Sequence, residues 1–477
     1  MHPYENGIQV PGEENILITR RHAEDFQRKH GLKKILGTKN LWTLGVGTVI
    51  SGFFLHWNSG LSTGPFSLLI ALFFVAIIYF LFVLVLSELS TLFPFTGGHY
   101  AYARCALGPF WGYIAGMASC IQFTGASSLT LIYLGEYIRF VFSDSSLYLF
   151  ILLMVSLMLF LSILGVRFFS AMQFVFVSCS LSLIVLFFIG TIDYIDNSNF
   201  SFVFVLDSDW KGIILALSFA VWFFLGIDAV VMSAEEVNSE ERNIPLGLKI
   251  AFATIIMLSL GIWYFLGNIQ NWPLAPGKQF PLLHLLSQKQ PNDKVLLTTF
   301  SFLGVSAFLA SIYGLIYALS RQVFSLARAG YLPLVLSKLN STFQTPHISL
   351  IFTILVSLVV SFNINKETLI FLTVSSTLIL YLIIMYSFIF LSFYEPEWFR
   401  YGNKRPFTLL LMTAVIIISV LLVAFVIYNI ELILSGAAIW LIFIIYYLLH
   451  ARKSIRSEAP EELKAVMVQN RFKVNIK

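Results

Sequence analysis

The chain has 477 residues, 58% of them hydrophobic and only 12% charged, with 47 Phe. This composition lies far outside the range of soluble globular domains and is that of a polytopic membrane protein. The formal net charge of +5 carries no argument for a nucleic-acid partner, because basic residues in such a chain set its topology in the bilayer.

In chain order, the first 39 residues are polar, with neither an apolar leader core nor a cleavage signature. They are expected to form a cytoplasmic tail, and the first span to remain uncleaved. Between Lys39 and Glu88 there is no Asp, Glu, Lys or Arg, which leaves room for two spans of about 20 residues and a short turn. Continuing in the same way predicts an all-α polytopic protein with about twelve transmembrane helices. They fall near 40–61, 64–93, 110–139, 147–166, 169–190, 212–233, 247–267, 296–320, 347–362, 367–393, 406–427 and 430–450. The proline-rich run Trp272 to Asp293 is expected to be a long outer loop holding a short helix. Residues 40–450 form one membrane domain, and 451–477 a cytoplasmic C-terminal tail.

Two spans are interrupted by glycine at corresponding places: LWTLGVGTVISGFFLHWNSGL from Leu41 and GIILALSFAVWFFLGIDAVVMSAEEV from Gly212. Paired breaks of this kind point to helices that unwind around a bound solute at mid-depth. They divide the domain into a repeat at 40–190, a second at 212–393 and two accessory helices at 406–450. Five helices per repeat force the second copy to be inverted in the membrane.

In span one, Gly45, Gly47 and Gly52 flank Thr48 and Ser51, and freed N–H groups at such a break suit a carboxylate. Val49, Ile50, Ser51, Gly52 and Phe53 are the substrate-contact candidates there, with close packing of helices through small residues as the alternative. In span six the candidates are Trp222, Phe223, Phe224 and Gly226: carbonyls near Gly226 to accept from an ammonium group, aromatics to close over it. Asp228 follows inside the span. A carboxylate in hydrocarbon is a functional hypothesis by default, here a proton carrier, the alternative being a structural group bonded to the broken backbone. Glu235, Glu236 and Arg242 are candidate gating ion pairs, or else solvated loop residues. Gln122, Ser119, Ser306, Tyr313, Ser375 and Ser376 are polar groups within spans, of the kind that serves as ligand or interhelical glue.

With the N-terminus inside, the cytoplasmic segments hold 24 Lys and Arg and the outer ones 6. Both termini are therefore expected to be cytoplasmic. Cys105, Cys120 and Cys179 support neither a disulfide framework nor a metal site, and no cofactor is expected.

Four motifs occur in order: the span-one run, FPFTGGHYAYARCALGPFWGYIAG, WFFLGIDAVVMSAEEVNSEERNIPLG and SRQVFSLARAGYLP. Together, from about Gly37 to the end of span twelve, they resemble the amino acid–polyamine–organocation (APC) permeases. GVGTVISGFFLHWNSGLSTGPF and ALGPFWGYIAG look most like the ethanolamine permease branch. The resemblance implies a five-plus-five inverted-repeat (LeuT-like) fold with broken helices 1 and 6. It also implies secondary transport of an amino acid or small amine across the cell membrane, by symport or exchange. Trp222 matches the aromatic that closes over substrate, and Asp228 a carboxylate tied in some members to proton coupling. The sequence departs from the family at three points. Phe53 stands where it would crowd a carboxylate site. Gln122 replaces the Glu common in ethanolamine permease-like chains, and span five has no Lys near Ser182, which leaves proton or sodium open. An enzyme is not expected, since no H-E-x-x-H, G-x-S-x-G or P-loop motif occurs.

Overall fold

The computed structural model describes residues 31–54, 57–142, 164–195, 210–269, 280–399 and 405–475, with 153 and 278 besides. Nearly all of the predicted fourth span, most of the tail 1–39 and the first part of the loop after Trp272 lie outside the described residues. Among the described residues there are helices and turns but no strand.

Helix α1 (Thr38–Val49) continues as two 3-10 segments, Ile50–Phe54 and Trp57–Thr63. Then come α2 (Pro65–Leu92), α3 (Gly98–Leu107), α4 (Pro109–Phe142) and α5 (Val166–Thr191). Helix α6 (Trp210–Ala220) gives way to 3-10 segments at Val221–Phe223 and Ile227–Glu236. It is followed by α7 (Glu240–Ile269), α8 (Pro281–Lys289), α9 (Lys294–Arg328), α10 (His347–Asn363) and α11 (Lys366–Tyr394). The chain ends with α12 (Arg405–Tyr428), α13 (Ile433–Leu449) and α14 (Pro460–Asn475).

Nine of the described segments are long and apolar enough to cross a membrane, and α10 is a shorter apolar helix. With the broken α1 these make eleven, and each coincides with a predicted span. Large apolar side chains on α12 and α13, among them Leu409, Ile416, Val420, Leu434 and Leu441, are exposed. In an all-α membrane protein that surface faces lipid.

The packing repeats itself with the two halves exchanged. Span one (α1) lies on span seven (α7), and span six (α6) on span two (α2); span three (α4) lies on span ten (α11), and span eight (α9) on span five (α5). The two self-paired contacts, α2 with α7 and α4 with α9, are also extensive. An inverted five-helix repeat gives this pattern.

The ends differ from expectation in three places. The polar run EERN, which lies between the predicted sixth and seventh spans, is the start of α7, anchored where Lys34 meets Glu240 at 3.1 Å. Helix α9 continues two turns beyond the predicted end at 320, because Arg321 and Arg328 are buried against carboxylates rather than solvated. The segment 451–477 is not a free tail: α14 docks on the bundle, with Glu461 and Glu462 buried. The predicted short helix in the outer loop is α8.

Candidate functional site

The two breaks meet. Gly226 has φ +105°, a left-handed conformation that only glycine adopts without strain, and it interrupts the hydrogen bonding of the sixth span. Its carbonyl accepts from Thr48 Oγ1 of α1 at 2.9 Å. On the other side, Ser311 Oγ of α9 donates to the Gly47 carbonyl at 2.8 Å and accepts from Ser51 N–H at 3.0 Å. Gln173 of α5 adds a bond from Nε2 to the Ala310 carbonyl at 3.1 Å. Part of the backbone freed by the breaks is thus satisfied by side chains, as burial demands.

Between the breaks lies a small cavity of about 20 Å³, a volume suited to one water molecule. Thr48, Val49, Ser51 and Gly52 line it from span one, Trp222 and Leu225 from span six. Ala126, Leu129, Thr130 and Tyr133 of α4 form a wall that sequence reading missed, since their polar members resemble ordinary interhelical glue. None of the lining residues is an acid or a base other than the Tyr133 phenol. Larger crevices occur elsewhere, for example one of about 320 Å³ between α4, α9 and α10. Its lining is almost wholly apolar, so it lacks the converging polar groups of a solute site.

Several predicted contacts point away from this cavity. Ile50 is buried in the helix core. Phe53 packs on Phe223 with ring centroids 5.5 Å apart, and Phe223 also meets Trp57 at 5.2 Å. Phe53 therefore does not crowd the space between the breaks. Phe224 stacks on Tyr79 at 5.1 Å. These rings are large apolar groups with better partners in the core than in a water-sized void.

Gln122 bonds a carboxylate on the sixth span. Its Nε2 lies 3.1 Å from both carboxylate oxygens of Asp228. Tyr381 OH of α11 is 3.4 Å from Asp228 Oδ1, and His99 Nε2 of α3 is 3.5 Å from Oδ2. His99 Nδ1 in turn sits 3.0 Å from Ser119 Oγ. His99, Asp228, Gln122 and Ser119 are all fully buried.

At one end of the bundle the carboxylates after the second break are clamped by α9. Glu235 pairs with Arg328 at 2.5 and 2.9 Å, and Glu236 with Arg321 at 2.9 Å and with the Tyr317 hydroxyl. Arg242 is exposed, so the expected partner is replaced by two buried arginines. Main-chain bonds from Ile35 and Leu36 to the Glu236 carbonyl, both 2.8 Å, tie the entry of span one to the exit of span six. Helix α14 completes the network. Glu461 reaches Arg328 at 3.1 Å, while Glu462 reaches Arg104 at 2.8 Å and Tyr331 at 3.1 Å and also bonds Tyr100. Burial pushes the Glu461 carboxyl above the ordinary glutamate range, Arg328 opposing and the nearby Glu235 charge adding to the shift.

Residues 42–459 match the family described as amino acid permease. The chain is 25% identical over 453 residues to the methylthioribose transporter of Bacillus subtilis (strain 168), covering 89% of this chain and 95% of that protein. It is 24% identical over 391 residues to an uncharacterized transporter of Rhizobium meliloti (strain 1021), covering 79% and 83%. With the amino-acid permease RocE of Bacillus subtilis (strain 168), identity is 23% over 342 residues, covering 68% and 72%.

Proposed function

The chain belongs to the amino acid permease family, and from that premise we propose that it carries a small zwitterionic amino acid by alternating access, coupled to protons. Transport of an amino acid or a small organic solute follows from the family itself. The choice of solute rests on one observation: two broken helices face each other around a cavity lined by Thr48, Ser51, Thr130, Tyr133 and Trp222 with no charged side chain. Opposite charges on a zwitterion are met there by backbone N–H and C=O groups at the breaks, which attract both ends without a net charge in the wall. When alternating access parts the breaks and enlarges this water-sized cavity, Trp222 covers the solute, and Val49, Ser51 and Gly52 hold its carboxylate.

An ethanolamine-like cation is less well served. It calls for an anion in the lining, and Asp228, the carboxylate nearest the breaks in sequence, is held by Gln122 instead. A second reading draws on the same uncharged, hydroxyl-bearing wall and on the methylthioribose transporter that resembles this chain over nearly its full length. An uncharged thioether sugar suits such a wall as well.

The Lys and Arg split supports both termini in the cytoplasm of a cell membrane, so the ion pairs of Glu235 and Glu236 form the inner gate. Thermal unfolding of the purified protein against neutral, cationic and acidic amino acids, ethanolamine and methylthioribose tests the assignment. A solute that binds the folded state raises apparent stability with concentration. Stabilisation by ethanolamine alone overturns it, and stabilisation by methylthioribose alone selects the second reading.

A further inference from the structure

The buried cluster at Asp228 contains a second base. His99 Nε2, 3.5 Å from Asp228 Oδ2, has no hydrogen bond within normal distance, although the ring is fully buried. A polar nitrogen in such a place ordinarily has a partner. The other groups facing the pair come from four elements: Tyr79 on α2, Ser119 and Gln122 on α4, Tyr381 on α11, and Asp228's own 3-10 segment. Among the described residues the only ion-pair partner of Asp228 is His99. Aromatic rings close the site: Tyr381 stacks on Phe82 with centroids 3.8 Å apart, and Phe123 lies over His99 at 6.4 Å.

We propose that His99 and Asp228 form one proton-binding site, holding a single proton between Asp228 Oδ2 and His99 Nε2. It deepens the proton-coupled reading above and supplies its acceptor. With the site empty of that proton, Asp228 is a carboxylate accepting from Gln122 and Tyr381, and neutral His99 carries hydrogen on Nε2 and accepts from Ser119 at Nδ1. When a proton binds His99 Nδ1 from the Ser119 side, the Nε2–H bond breaks and its hydrogen passes to Asp228 Oδ2, so that the carboxylic acid donates to Nε2. The imidazole hydrogen then resides on Nδ1, and Ser119 turns from donor to acceptor. One proton enters, the Nδ1–H and Oδ2–H bonds form as the Nε2–H bond breaks, and the pair changes from net charge minus one to zero. Neutralising a charge in a dry interior removes its desolvation cost, which biases the state in which the site is closed.

The position of the pair links it to the cavity between the breaks and to the inner gate. Asp228 follows Gly226, whose carbonyl is bonded by Thr48 of the cavity wall. His99 shares α3 with Tyr100 and Arg104, which hold Glu462 at the inner face.

The test is infrared difference spectroscopy of the purified wild-type protein between mildly acidic and alkaline pH, beside Asp228→Asn and His99→Gln. A protonated-carboxyl band that grows as pH falls is expected in the wild type and lost in Asp228→Asn. In His99→Gln its midpoint moves by about one pH unit or more. Ser119→Ala keeps His99 in place and gives a smaller shift in the same assay, which serves if the Gln variant does not fold. An unmoved midpoint in whichever of these variants folds, or no titrating band in the wild type, overturns the proposal. Uptake of the stabilising solute into proteoliposomes under an imposed pH gradient separates the two ideas. Absent proton drive with the band shift present overturns the coupling reading and the pair's role in it, leaving a proton site alone. Proton drive with an unmoved midpoint removes His99 and keeps the coupling.

Discussion

Gly52 lies so close to the backbone carbonyl of Trp222 that a Cβ at position 52 would overlap the oxygen. A carbonyl cannot rotate aside as a flexible side chain does, so Gly52→Ala forces the two breaks apart. Overpacking of this kind costs about 1–3 kcal/mol. The expected result is a lower unfolding temperature and an apparent solute affinity weakened about tenfold or more, about 1.4 kcal/mol. At Gly212 the nearest atom to a new Cβ is at an ordinary 3.5 Å, so Gly212→Ala serves as the control. Equal behaviour of the two variants would show that the contact does not matter.

Trp222 is the largest side chain in the cavity wall. If Trp222 covers the solute as proposed, Trp222→Ala is expected to weaken binding by about 1.5–3 kcal/mol. Trp222→Phe should recover part of that. Thermal shift against the stabilising solute measures it, and wild-type affinity in the Ala variant would take Trp222 out of the site.

The buried ion pairs of Glu235 and Glu236 predict a contrast between arginines. Arg328→Met leaves Glu235 and Glu461 buried without their shared cation, and breaking a buried pair costs about 3–5 kcal/mol. Arg242→Gln, at an exposed position, is expected to change stability by less than about 0.5 kcal/mol. Chemical denaturation of the two variants in matched detergent separates them, and comparable losses would contradict the network as described.

Sequence carried the helices and the pairing of the breaks well, because glycine punctuation and long uncharged runs are strong local signals in a membrane chain. It placed Asp228 in the buried interior for the same reason. What it missed depends on rotation and distance. Phe53 and Phe223 sit beside cavity residues in sequence but turn toward each other. His99 is more than a hundred residues from Asp228, and no local signal links the two. Arg242 lies close to the two glutamates in sequence, whereas Arg321 and Arg328 arrive from a different helix. The pair Glu461 and Glu462 falls in the segment expected to be a cytoplasmic tail, and nothing local distinguishes a docked acidic helix from an exposed one.

Docking of α14 is expected to depend on pH through Glu461. Its carboxyl is pushed up in the docked state, by burial first and by the neighbouring Glu235 charge, against the pull of Arg328. A group whose folded-state pKa is raised binds protons more tightly when docked than when free. Its contribution is fully present below the free value of about 4.3 and is lost as pH rises through the docked value. Amide exchange across residues 460–475 should therefore be slower at mildly acidic than at alkaline pH, after correction for intrinsic rates. Glu461→Gln cannot titrate and keeps the bond geometry, so it should flatten that dependence while Glu462 still holds Arg104 and Tyr331. Protection that increases with pH, or a slope unchanged in Glu461→Gln, would place the titrating group elsewhere.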